Sequence, residues 1–320
     1  MRLNIPDLLR LYQYKKAIDR AIKAVPWDDP LTAKMYYYAI GSGHRSRSIA
    51  ALLSYNLFSN DWKRAIPAAK AIELGHKASL IHDDLIDGDK YRGRKPTFHS
   101  IYGSEASVIM GDLLMGTAFE LLDTLKFSCQ TKLDCYKIFS NAFRVSAYGE
   151  LKDINFKGNT SFDLNTILEI HYWKTGKLGE LALKVGGLLG GGSVEEVDYL
   201  GQIGKKLGVT FQIINDINNW TGYEIKNKRY IKSDVNNCRP NIISCFQSFN
   251  SLDTATYTIS SHDHNTLPYN SNYEAFEKAN ALVEQFCQEA RNLTKKLPPS
   301  HPRNILYKLT FRNNIFSNFF

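Results

Sequence analysis

Residues 80–94 read LIHDDLIDGDKYRGR, with Asp83, Asp84 and Asp87 set inside an apolar stretch and followed by Arg92 and Arg94. From residue 62 up to this stretch, apolar side chains recur at three- and four-residue intervals, so it closes an amphipathic helix. Asp83 and Asp87, four residues apart, then share one face with Asp84 beside them, and three carboxylates are aimed at one point. Clustered aspartates are most often a solvent-facing acidic patch, but the flanking SLI and LI are apolar and belong to a buried face. Like charges gathered there are costly unless cations compensate. Carboxylates are hard oxygen ligands suited to magnesium, which keeps positions open for water and substrate phosphate. A magnesium-diphosphate site accounts for both the acids and the basic residues after them.

The same helical spacing runs through 7–25, 31–58, 62–87, 104–126, 131–151, 163–190, 195–220 and 273–297, while alternating strand patterns are scarce. The fold class is all-α, a single large helical bundle over residues 1–320. Breakers separate the segments: Pro26 and Pro30, Gly41 and Gly43, Gly158-Asn159, Gly190 to Ser193, and Pro298-Pro299. Ser193 with Glu196 three residues on forms a capping-box pattern. Residues 248–272, rich in Ser, Thr, Asn and Asp, read as a surface loop or lid.

Composition narrows the function classes. With 43% hydrophobic and 22% charged residues and no long apolar run, no integral membrane segment is expected. A net charge of +8 and a pI near 9.0 point to an anionic partner. Lys and Arg are scattered and no zinc-finger or RNA-binding spacing occurs, so nucleic acid is not the expected one. The start, MRLNIPDLLRLYQYKKAIDRAI, reads as a first helix, and five cysteines without a CxxC fit reduced thiols in a cytoplasmic setting.

Further motifs follow in order. DDxxD is complete at Asp83, Asp84 and Asp87; Arg92 precedes Pro96, Thr97 and His99; GDLLMGTA spans 111–118; GExxD spans Gly149 to Asp153; Lys174-Thr175 and Phe211-Gln212 come later. This series, from about Gly41 to Arg239, resembles the trans-isoprenyl diphosphate synthases of the polyprenyl synthetase family. The resemblance implies the isoprenoid synthase fold around an apolar tunnel, Mg2+ as cofactor, an allylic prenyl diphosphate as substrate and a homodimer. It implies that Lys174, Arg229 and Arg239 grip the diphosphate, with Arg92 and Gln212 beside them, and that Arg47 and His76 serve the acceptor, isopentenyl diphosphate. For pocket depth it draws attention to Ala78 and Ser79, small residues where enzymes that stop at farnesyl length carry a bulky aromatic. Met115 and Phe119, one helical turn apart, are candidate tunnel walls together with Phe211, although a core stripe has the same spacing.

The departures are as informative. The second aspartate-rich motif is NDINN, leaving Asn215, Asp216 and Asn219 as candidate metal ligands of reduced charge. It partly resembles the metal motif of class I terpene synthases, with Glu224 one residue beyond the expected place. At the acceptor side GKRxRP becomes GHRSRS, with His44 in the lysine position and Arg45 and Arg47 kept, and the second arginine of RRG becomes Gly93 with Arg94 beyond it. Three readings follow. The first is a magnesium-dependent prenyltransferase joining an allylic diphosphate to isopentenyl diphosphate or another acceptor. The second is a terpene synthase that cyclises or quenches the allylic cation. The third, a non-catalytic partner subunit, is disfavoured by the complete first motif.

Overall fold

Side chains that replace lost backbone partners fix where the first helices begin. In the computed structural model, which describes residues 1–25, 27–41, 43–156, 163–221, 241–250, 269–312 and 314, Asn4 and Asp7 each accept the other's amide at 3.0 Å and open α1 (Ile5–Lys23). Asp29 caps α2 (Pro30–Ile40) through the Thr32 amide. The chain then forms α3 (Ser46–Tyr55) and a 3-10 turn that runs into α4 (Ile66–Asp87), the helix that ends in the three aspartates. A two-stranded antiparallel hairpin, β1 (Tyr91–Arg92) and β2 (Lys95–Pro96), follows. After it come α5 (Phe98–Tyr102), α6 (Ser104–Asp123), α7 (Cys129–Phe156) and α8 (Leu164–His171). A π turn at Tyr172–Gly176 joins α8 to α9 (Lys177–Gly190), and α10 (Val194–Thr221), α11 (Ile242–Asn250), α12 (Tyr269–Lys295) and α13 (His301–Leu309) complete the described elements.

The bundle is built around α9, which packs on α3, α7 and α10 and reaches α4. Its inward residues Leu181 and Val185 are fully buried. Small residues set the spacing: a Cβ on Gly204 of α10 would lie 2.2 Å from the Gly179 carbonyl oxygen of α9, and one on Gly179 would lie 2.4 Å from that of Gly204. The two backbones therefore touch directly. On the other flank α4 packs on α6, and α10 packs on α12. The chain's ends are tied by Asp7, which is 1% exposed and accepts from Lys308 at 2.7 Å.

The all-α expectation holds, with differences of detail. The pattern over 31–58 breaks at Gly41 into α2 and α3, and that over 163–190 contains the π turn. The hairpin, α5, α11 and α13 are elements the periodicity does not announce, being nine residues long or less. Of the expected 248–272 loop, residues 248–250 and 269–272 have helical backbone, and 251–268 lie outside the described residues. None of the described helices is long and apolar enough to cross a membrane.

Gly204→Ala forces α9 and α10 apart because the obstacle is backbone rather than a flexible side chain. The expected loss is about 1–3 kcal/mol, read as a lowered midpoint in chemical denaturation; an unchanged midpoint would show that the seam relaxes freely.

Candidate active site

Asp83 and Asp87 present their carboxylates from the last turn of α4, and Glu150 of α7 meets them: one oxygen from each lies within 4.8 Å of the others. Three half-buried carboxylates so placed repel, and the arrangement suits a divalent cation. Glu150 Oε1 is buried with no hydrogen-bond partner among the described residues, and a ligand role would satisfy it. Burial pushes the Glu150 carboxyl up, with Lys174 opposing and Asp83 adding to the rise. Lys174, carried by the π turn, donates to Glu150 at 2.9 Å and to Asp153 at 2.5 Å. Burial alone would lower its pKa, but Asp153, Glu150 and Asp83 outweigh it and hold the ammonium well above its usual range.

Asp84 does not join this group. One residue along a helix turns a side chain by about 100°, and Asp84, 5% exposed, pairs with Arg92, whose Nε and Nη2 approach Oδ1 at 2.8 and 2.5 Å. Arg92 Nη2 also reaches Asp83 at 3.4 Å. The convergence expected of three aspartates is thus made by Asp83, Asp87 and Glu150. Arg92 faces the acidic cluster through Asp83 while Asp84 orients it.

On α10 the expected ligand Asp216 is turned into the helix interface. His171 lies 3.2 Å from it, and the Ile242 amide donates to it at 3.0 Å, so its carboxylate closes the start of α11. Gln212 reaches the same carboxylate at 3.4 Å and accepts from Thr175 at 3.2 Å. Asn215 is half-buried and Asn219 buried on α10. Arg229, Arg239 and Glu224 lie outside the described residues.

The residues expected at an acceptor site differ in how they are engaged. Arg45 is 3% exposed and spent internally, donating to Asp19 at 2.9 Å, to Glu73 at 3.0 Å and to the carbonyls of Ile40 and Gly41. Arg47 instead donates Nη1–H to His76 Nε2 at 2.9 Å. Burial brings Arg47 down to about 10, with Glu73 opposing, and it stays charged at neutral pH. His76 is pushed well below the usual range by burial and then by Arg47 and its cationic neighbours. The neutral ring accepts at Nε2, which assigns the proton to Nδ1. That Nδ1 and Arg47 Nε are buried with no partner among the described residues.

Gly93 has φ +63° and Arg94 is not in the positive-φ region, which makes Gly93-Arg94 a type II′ turn between Arg92 and Lys95. The glycine is therefore demanded by the backbone where the family pattern has arginine.

Below the carboxylates, Ala78 is 1% exposed and Ser79 is bonded to the His76 carbonyl. Met115 and Phe119 are half-buried on α6, as is Phe211 on α10. Phe119 packs edge-on against Phe139 at 5.2 Å, and Phe139 continues to Phe143 at 4.7 Å. The Phe143 ring lies over Gly75, where a Cβ would come within 2.3 Å of it. Glu150, Asp153 and Phe143 were not singled out from the sequence as site residues; GExxD marks the first two, and nothing local marks the third.

Residues 29–261 match the polyprenyl synthetase family. The chain belongs to that family. A geranylgeranyl diphosphate synthase of Cyanophora paradoxa is 32% identical over 244 residues, 73% of this chain and 81% of the relative. A short chain isoprenyl diphosphate synthase of Methanocaldococcus jannaschii is 32% identical over 227 residues, 71% and 69% of the two chains. The crystal structure of geranylgeranyl pyrophosphate synthetase from Pyrococcus horikoshii superposes with a TM-score of 0.84 at 27% identity, covering 98% of each chain. This polyprenyl synthetase is thus an enzyme of the isoprenoid diphosphate synthase type with the all-α isoprenoid synthase fold.

Two predictions follow from the site. Glu150→Gln keeps shape but removes a charge, so a divalent cation held by the cluster should bind roughly ten- to hundredfold more weakly, the range seen when even supporting groups of a metal site are lost. The readout is the metal-induced rise in melting temperature, and an undiminished rise would remove Glu150 from the site. Gly93→Arg should cost about 1–2 kcal/mol from the positive φ. Gly93→Ala should cost the same, because nothing lies within 4 Å of a Cβ there and only the backbone is strained.

Proposed function

We propose that this polyprenyl synthetase is a magnesium-dependent trans-prenyltransferase that joins an allylic prenyl diphosphate to isopentenyl diphosphate. The observation that carries the reading is the meeting of Asp83, Asp87 and Glu150 beside Lys174, with Arg47 and His76 holding unpartnered donors. Asp83, Asp87 and Glu150 would hold the metal. When bound, a divalent ion supplies Lewis-acid stabilisation of charge developing on a leaving diphosphate.

The chain's residues do the rest. Lys174 and Arg92 add fixed positive charge beside the departing phosphates, so that the allylic carbon–oxygen bond breaks with its electron pair leaving on the diphosphate. Arg47 and the Nδ1–H of His76 hold the acceptor's diphosphate, which directs its double bond to the cation; the new carbon–carbon bond forms from the electrons of that double bond, and the acceptor then passes a proton to the released diphosphate. Apolar side chains such as Ala78, Met115, Phe119 and Phe211 would exclude water that quenches the cation. Ala78 is small where a bulky side chain would shorten the product, and Phe143 at the level of Gly75 stands about 12 Å along α4 from Asp83, at 1.5 Å per residue. A geranylgeranyl-sized product fits this reading and the names of the relatives.

The NDINN stretch and the engagement of Asp216 with His171 and Ile242 favour, as a second reading, a terpene synthase with a rearranged metal set on α10. Incubation with Mg2+ and geranyl, farnesyl or geranylgeranyl diphosphate, each with and without isopentenyl diphosphate, separates the two. Lengthened prenols after phosphatase treatment, formed only with isopentenyl diphosphate, are expected. Hydrocarbons or alcohols formed from the allylic diphosphate alone would establish the terpene synthase instead. Asp83→Ala with Asp87→Ala should lower turnover by about a hundredfold or more; retained turnover would refute the metal site.

A further inference from the structure

Lys77 follows His76 on α4 and is half-buried beside the loop that carries His44. Its Nζ comes within 3.4 Å of the place a Cβ on Gly43 would occupy, and Arg45 Nη1 within 3.6 Å of the same point. Lys77 has no hydrogen bond or ion pair among the described residues, although two carboxylates stand near. Both are already engaged: Glu73 binds Arg45 at 3.0 Å and Ser48 at 2.9 Å, and Asp19 binds Arg45 at 2.9 Å and Lys15 at 2.5 Å. The ammonium therefore stands near Arg45 and Arg92 with no carboxylate of its own. Burial first, and then Arg45 and Arg92, lower its pKa, with Glu73 and Asp19 acting against them. A half-buried cation held among cations costs stability, and an anion bound there offsets that cost.

Next to it, Arg47 Nε and His76 Nδ1 are buried without partners. His44, where the family has lysine, is exposed, and an imidazole offers a single N–H that is uncharged unless protonated. We propose that Lys77 supplies the ammonium that grips the acceptor's diphosphate in this chain, taking over from α4 the task that position 44 no longer performs. This rests on the reading that Arg47 and His76 form the acceptor site. It makes the altered GHRSRS motif a relocation of one cation rather than a loss of acceptor binding, because a point charge on a flexible stem works from either side of a phosphate.

The test is steady-state elongation of farnesyl diphosphate, with KM for isopentenyl diphosphate measured for wild type, Lys77→Met, Lys77→Arg, Arg47→Met, and Lys77→Met combined with His44→Lys. Lys77→Met should raise that KM roughly ten- to hundredfold, the worth of one charge-assisted hydrogen bond. Lys77→Arg should restore most of the affinity and His44→Lys part of it. The melting temperature of Lys77→Met should be unchanged or higher, since an uncompensated cation has been removed. A KM within about twofold of wild type for Lys77→Met, with Arg47→Met impaired, would overturn the role of Lys77 and leave the acceptor site standing. A raised KM with a lowered melting temperature that His44→Lys does not reverse would also overturn it. If wild type consumes no isopentenyl diphosphate, or neither Lys77→Met nor Arg47→Met changes its KM, the acceptor-site reading itself falls, and this proposal with it.

Discussion

Carboxylates cannot gather in half-buried space unless cations are fixed among them, and Lys174 is the cation on which this site depends. It stands between Glu150 and Asp153, so two acids one helical turn apart on α7 are both held by a single ammonium. With Glu150 so placed, Asp83 and Asp87 can approach it from α4. Arg92 performs the corresponding service for Asp84. Lys174 and Arg92 are thus two cations set among five acids, Asp83, Asp84, Asp87, Glu150 and Asp153, and the excess of negative charge gathers where Asp83, Asp87 and Glu150 meet.

Rigid packing makes that balance possible. The π turn that carries Lys174 leads directly into α9, the helix whose backbone touches that of α10 at Gly179 and Gly204 and which also packs on α3 and α7. Lys174 is therefore positioned by the centre of the bundle rather than by its surface. The same economy appears on α10, where Asp216 joins α8, α10 and the start of α11. A residue that reads as a metal ligand from its motif is thus occupied in holding three helices together.

What the sequence disclosed follows from the range of each signal. The helical class and the shared face of Asp83 and Asp87 are matters of period, and period survives folding. Asp84 lies one residue off that face, and its attachment to Arg92 depends on a hairpin that no periodicity announces. Glu150 sat in a recognisable motif, but its meeting with α4 is a contact between distant parts of the chain. Lys77 belonged to no motif at all. Its isolation appears only once Arg45 is seen to occupy Glu73 and Asp19. α11, at nine residues, is too short for its spacing to stand out beside a polar stretch.

The type II′ turn at Gly93-Arg94 carries an implication for descent. A glycine at φ +63° is a backbone commitment, and a side chain restored at that position alone meets strain before it meets any phosphate. Return to two consecutive arginines would require the turn itself to change at the same time as the residues. While this turn is kept, any side chain at position 93 carries that backbone cost, whatever its charge could gain. A cation placed on a helix meets no such condition, because an α-helical backbone accepts a lysine or an arginine at little cost.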